Sequence, residues 1–336
     1  MMSNGTIIID FLLMGFSEQL EFQLLHFVVF LMMYLAILTG NLLIIILVVV
    51  NNHLQTPMYF FLVSLAIVDL GSTTVTIPRS IACALMNARR ISYPECVAQM
   101  FFFLFFMSSD LFLLTAMAYD RYVAICYPLH YMSMMQWRNC FQMAGVAWIL
   151  GFLNAAMHTG TIFSAGVAWI LGFLNAAMHT GTIFSLPFCS TVIHQFFCEI
   201  PHLMNISCFD PKFREISVLL FSAFLGVVCF MLIIMSYVKI FKALLSMPSV
   251  ASRQKAFSTC IPHLLVVCLL LGTGIFSYFI PNSGSSYNWD EIFAVIYSVI
   301  PPMINPIIYS MRNKDIKAAL WKLFNQRIAN QNRKMC

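Results

Sequence analysis

Charge is what this sequence has least of. Lys, Arg, Asp and Glu together make up 9% of its 336 residues, against about 25% in soluble domains. A water-soluble domain of this size needs a charged skin, and this chain cannot supply one. Basic residues are also missing from the beginning: the first is Arg79. The positive flank of a cleavable signal peptide is therefore absent, and the first apolar run is expected to act as its own uncleaved targeting signal. No nucleophile elbow, phosphate-binding loop or metalloprotease signature occurs, so enzyme chemistry is not expected. None of the eight histidines has another at i, i+4 spacing, and His158 and His179 are copies of one residue. A metal centre is not expected either. The net charge of +5 is too small to call for nucleic acid.

In place of charge there are long apolar runs. Apolar residues fill 61% of the chain, with 32 Phe and 23 Met, which makes an integral membrane protein. A ~30 Å hydrocarbon core takes about 20 helical residues. The runs predict helices near 23–50, 57–85, 95–122, 143–164, 214–241, 255–280 and 289–310, with 1–22 as a leader and 311–336 as a tail. From Cys96 to Arg121 a helix rises roughly 38 Å, so these residues belong to opposite membrane faces. Pro57 opens the second helix where its missing N–H costs nothing. Two acids lie deep in these runs. Asp69 is roughly 18 Å into the second helix and Asp110 roughly 16 Å before the end of the third, at matched depth. Intramembrane carboxylates face inward, find partners and usually serve function. Asn41 and Asn305 are candidate neighbours. The structural alternative is a pair of protonated acids hydrogen-bonded inside the bundle.

The fourth run holds a tandem repeat. The 21 residues Ala144–Ser164 recur unchanged as Ala165–Ser185, and removing one copy leaves 315 residues. Each copy could cross a membrane, but eight spans would invert everything downstream. With seven spans and the N-terminus outside, 13 of the 18 basic residues face the cytoplasm; an eighth span would put 11 of those 13 outside. Seven spans are expected. The first copy forms helix four, and 165–185 is left outside as an extra apolar segment.

The eleven cysteines divide by position. Cys83, Cys126, Cys140, Cys229, Cys260, Cys268 and Cys336 fall in apolar or cytoplasm-side stretches and read as free thiols. Cys96, Cys189, Cys198 and Cys208 gather at one set of loops, and four cysteines allow three pairings. Asn4-Gly5-Thr6 is a glycosylation sequon in the leader.

Five motifs agree in order and spacing. They are PMYFFLVSLAIVDL at Pro57–Leu70, MAYDRYVAICYPLHY at Met117–Tyr131, Ser236-Tyr237, KAFSTC with Pro262-His263-Leu264, and PPMINPIIYS at Pro301–Ser310. Together they resemble the olfactory receptors, a branch of the rhodopsin-like G-protein-coupled receptors. One departure is Leu270-Leu271 before Gly272, where the family commonly has an aromatic pair.

The resemblance implies an all-α membrane protein: a seven-transmembrane helix bundle with a short amphipathic eighth helix over about 313–327. It implies that Asp120, Arg121, Tyr122, Tyr237, Asn305, Pro306 and Tyr309 switch a heterotrimeric G protein of the olfactory stimulatory type. It also implies a sodium or proton site at Asp69 and Asp110, and disulfides Cys96–Cys198 and Cys189–Cys208. Aligned by the motifs, Phe103, Leu104, Met107 and Ser108 should face a common cavity with Phe221, Ser222, Leu225, Gly274, Ile275 and Tyr278. Phe103 stands where an amine receptor would place its acid, so a small, volatile, weakly polar ligand is implied. An ion-coupled transporter using the two acids is the alternative from another class, and a receptor disabled by its duplication is a third.

Overall fold

The computed structural model describes residues 10–13, 19–86, 89–162, 190–193, 197–198, 203, 206, 212–247, 249–279, 289–312 and 316–321. Among the described residues there are seven long helices: α1 (Leu20–Val50), α2 (Pro57–Met86), α3 (Tyr93–Cys126), α4 (Trp137–Ile162), α5 (Lys212–Leu245), α6 (Val250–Phe279) and α7 (Trp289–Arg312). Six are long and apolar enough to cross a bilayer by themselves. In α7 the apolar described stretch is the shorter Ala294–Tyr309. Large apolar side chains stand exposed along α1 and α5, among them Leu24, Leu35, Val49, Phe224 and Val227. In water such faces would aggregate; in lipid they are the solvent-facing side.

Local chemistry sets the helix ends. Pro57 is the first residue of α2. Ser92 and Glu95 close a reciprocal capping box at the start of α3, with the Ser92 N–H donating to the Glu95 carboxylate at 3.0 Å. Several helices outrun their apolar stretches: α3 continues to Cys126 and α5 to Leu245. Hydropathy marks where lipid ends, whereas backbone hydrogen bonding continues into the interface.

α3 is the axle, in contact with α2, α4, α5 and α6. Its close approach to α4 depends on Gly151, where a β-carbon would overlap Ser109 and sit 2.9 Å from the Phe105 carbonyl oxygen. Gly151 belongs to the first copy of the repeat, which builds α4 from Ala144 onward. The second copy, 165–185, lies outside the described residues.

α1 is fitted to α7 by a similar device. Pro306 has no N–H, so the carbonyl four residues earlier, at Pro302, loses its helical donor. Asn41 supplies one from Nδ2 at 3.1 Å. A β-carbon on the preceding Gly40 would press to 3.1 Å from the Pro306 ring.

A small sheet caps the Cys96 end and was not expected from the sequence. β1 (Asp10–Leu13) lies between β2 (Arg90–Ser92), antiparallel, and β3 (Val192–Ile193), parallel. Strands of two to four residues are too short to show an alternating pattern. Under them Phe11, Leu13, Ile91 and Ile193 pack on Cys96, Met100 and Cys198. At the opposite end a helical segment at 316–321 buries Ile316 against Ile44, Leu47 and Leu62 of α1 and α2.

Candidate receptor site and switch

At the capped end, Cys96 and Cys198 form a disulfide with Cα atoms 5.5 Å apart. Gln99, one turn along α3, steadies it. Its Nε2 donates to the Val75 carbonyl of α2 at 3.0 Å, and its Oε1 accepts from the Cys198 N–H at 2.9 Å. This fixes Phe197, whose ring meets Phe103 edge-on at 5.1 Å, while Tyr297 of α7 meets Phe103 at 5.9 Å. The other expected pair, Cys189 and Cys208, lies outside the described residues, as does Asn4. Among the described residues Cys83, Cys126, Cys140, Cys229, Cys260 and Cys268 form no disulfide.

Below this aromatic wedge the residues named for a ligand divide. Leu104 packs toward the cap and Met107 toward the core. Ser108 and Ser222 are joined through α4: Asn154 Nδ2 donates to Ser108 Oγ at 2.8 Å, and Ser222 Oγ donates to Asn154 Oδ1 at 2.5 Å. His158 Nε2 lies 2.9 Å from Ser222 Oγ. Phe221 is exposed and Leu225 half-buried. A β-carbon at Gly274 would meet nothing within 4 Å. The side chains of Ile275 and Tyr278 lie outside the described residues.

Midway along the bundle Asp69, Asp110 and Asn305 are all buried. Asn305 Nδ2 donates to both Asp69 oxygens, at 3.0 and 3.3 Å. Asp110 is near enough for its charge to act on Asp69. Asp110 Oδ1, Asn305 Oδ1 and the Tyr309 hydroxyl are buried without a hydrogen-bond partner among the described residues. Orphaned oxygens beside a carboxylate fit a hard cation, which takes oxygen ligands, or a proton.

At the far end of α3, Arg121 pairs with Asp120 at 3.1 Å. The second lock on Asp120 is Tyr131, whose hydroxyl donates to Oδ1 at 2.8 Å from the loop that follows α3. Burial, and then the Asp120 charge, push the Tyr131 phenol above its ordinary range. A phenol normally ionises near pH ~10; raising that value keeps this lock intact below it, and the lock is lost only as pH climbs through the higher folded value. Tyr122 stacks edge-on with Tyr127 and carries the Lys239 ammonium 5.1 Å above its ring. Deeper in, Tyr237 Oη lies 2.9 Å from His263 Nδ1, and His263 Nε2 lies 2.8 Å from the Leu114 carbonyl. A carbonyl only accepts, so His263 carries its proton on Nε2 and Tyr237 donates to Nδ1. α3, α5 and α6 are thus tied through one imidazole.

Asn154, His158, Gln99, Tyr131 and His263 were not singled out by sequence reasoning. His263 stood inside a quoted motif, and Asn154 with His158 shows i, i+4 spacing on one helix. Either signal could have raised them, but a lone polar residue in an apolar run does not name its partner.

The family model described as olfactory receptor matches residues 30–327. Among curated proteins, Olfactory receptor 14I1 from Homo sapiens is 45% identical over 323 residues, 96% of this chain and 97% of the relative. Olfactory receptor 14A16 from Homo sapiens is 44% identical over 331 residues, 98% of this chain and 100% of the relative. Olfactory receptor 1G1 from Gorilla gorilla gorilla is 42% identical over 321 residues, 95% and 96% of the two chains. These matches favour no transporter, and the family signals rather than catalyses. A bundle of long apolar helices with α3 as its axle, a disulfide at one end of that helix and an Asp-Arg pair at the other fit what the comparisons show: the chain belongs to the olfactory receptor family, multi-pass plasma-membrane receptors that sense odorants and couple to G proteins.

Proposed function

We propose that this receptor binds a small, volatile, weakly polar molecule beside the capped half of α3, between Phe103, Leu104, Met107 and Ser108 and the facing Phe221, Ser222 and Leu225 of α5. Gly274, Ile275 and Tyr278 of α6 complete the surroundings. The N-terminus lies outside and the C-terminus in the cytoplasm, in keeping with the basic residues near the Arg121 end. The partner is the stimulatory olfactory G protein, and cyclic AMP is the output. One observation carries this reading: a single helix, α3, bears the Phe103 wedge near one end and the Asp120–Arg121 pair near the other. A ligand that binds better when the wedge is displaced shifts the population toward the arrangement in which Arg121 leaves Asp120.

Asp69, Asp110 and Asn305 would hold a sodium ion or a proton that favours the resting arrangement. A bound ion there would supply positive charge between the two carboxylates. Cys189–Cys208 would close a second loop disulfide, and Asn4 would carry glycan.

Screening an odorant panel against a cyclic AMP reporter, with ligand-dependent nucleotide exchange measured on purified G proteins of several classes, tests this. Exchange on the stimulatory class supports it. Exchange confined to another class would correct the partner, and substrate flux into liposomes without exchange would overturn the reading.

A further inference from the structure

Four polar side chains from three helices form one chain of hydrogen bonds within the apolar bundle: Ser108 of α3, Asn154 and His158 of α4, and Ser222 of α5. A serine hydroxyl has one hydrogen to donate. Ser222 directs its hydrogen to Asn154 Oδ1, so toward His158 it acts as acceptor and His158 carries its proton on Nε2. Asn154 then uses both ends of its amide, accepting from Ser222 and donating to Ser108. Ser108 Oγ is therefore an acceptor in this chain, and its own hydrogen is left over. Its neighbour Ser109 donates back to the Phe105 carbonyl at 2.7 Å, and Thr115 to Leu111 at 2.9 Å. Among the described residues no acceptor takes the Ser108 hydrogen.

Ser108 follows Met107 in α3 and lies one turn beyond Leu104, on the helix that bears the Phe103 wedge. Every member of the chain is drawn from Ser, Asn and His, with no carboxylate or guanidinium to meet an ion. A charged ligand would be desolvated there without a counter-ion. A neutral acceptor oxygen would receive a hydrogen bond in low dielectric, where it is strong. We infer that Ser108 donates to a ligand oxygen, with Asn154 and His158 as positioning residues, so that this receptor selects small apolar molecules bearing one neutral acceptor (ketone, aldehyde or ester) over hydrocarbons of equal size. The inference rests on the odorant-receptor reading above and names its ligand class.

The tandem repeat supplies an internal control. Asn154 and His158 have identical counterparts at Asn175 and His179, yet the first copy makes these bonds.

The probes are eight-carbon chains, as a ketone, an aldehyde, a methyl ester and the matched alkane, read by cyclic AMP and normalised to surface receptor. The oxygenated members should be at least about tenfold more potent than the alkane, the worth of one such bond. Ser108→Ala should remove that preference, Ser108→Thr should restore it, and Asn154→Leu should remove it while Asn175→Leu leaves it intact. The potency ratio, unlike surface level, does not move for a merely structural role. A preference that survives Ser108→Ala, an equally potent alkane, or silence toward all oxygenated members overturns the inference. In that event basal cyclic AMP that is lost in Arg121→Ala shows the receptor reading still stands. Absence of basal signal and of every ligand response in surface-delivered receptor removes both.

Discussion

The two halves of the bundle are held together by different means. At the Arg121 end, polar side chains tie α3 directly to its surroundings: Asp120 to Tyr131 just beyond the helix, and the α3 backbone through His263 of α6 to Tyr237 of α5. At the capped end the restraints are a disulfide, a three-stranded sheet and an aromatic wedge, with one polar chain running through α4. α6 shows the contrast within one helix. His263 is engaged at both ring nitrogens, while β-carbons at Gly272 and Gly274, about two and a half and three turns further on, would meet nothing within 4 Å. Directional bonds give an element discrete arrangements, which a switch requires. Apolar contacts and open glycine faces tolerate varied shapes, which a receiving surface requires.

The largest test of this contrast is Arg121→Ala. It should abolish G-protein activation while leaving delivery to the surface, because Arg121 is half of an ion pair at the membrane boundary rather than a packing residue. Full nucleotide exchange by the variant would refute the switch.

Cys96→Ser attacks the other half. Losing a disulfide that closes so long a loop costs about 2–5 kcal/mol, so surface receptor counted by flow cytometry should drop about tenfold or more. Normal surface level with normal signalling would show that sheet and wedge suffice alone.

A smaller effect separates the locks from each other. Tyr131→Phe keeps the ring and deletes the bond to Asp120, a bond to a charged group worth about 1.5–3 kcal/mol. Basal cyclic AMP per surface receptor should rise several-fold, roughly tenfold at most because Arg121 still holds Asp120. Unchanged basal output would mean Tyr131 only packs.

The smallest expected change concerns the repeat. Deleting 165–185 should raise surface delivery a few-fold by removing an apolar segment in excess of the seven spans expected from the sequence. An Asn175→Cys variant should label with an impermeant reagent from outside. Labelling of Asn154→Cys only from the cytosol would show that the two copies have exchanged places.

Much of the receptor was legible in advance because the bilayer is a strict solvent. It forces every span to be a helix, so the apolar runs placed the long helices among the described residues, and the charge balance argued against counting both copies of the repeat as spans. Asp120-Arg121 stood out since a charge pair in an apolar run has few places to be. The cap did not stand out, since strands this short borrow their partners from distant segments. Asn154 was passed over for the opposite reason: a single amide in an apolar helix looks the same whether it meets lipid, backbone or two serines.

By itself, then, the sequence determined the solvent from its composition, and the order of motifs and the depth of each polar residue from one-dimensional spacing at about 1.5 Å per helical residue. Only the tertiary structure decided which oxygen each buried donor meets and where α4 comes closest to α3, at Gly151. Among the described residues it directs no acceptor to the Ser108 hydrogen. Those outcomes depend on how helices rotate and approach one another, which spacing along the chain does not record.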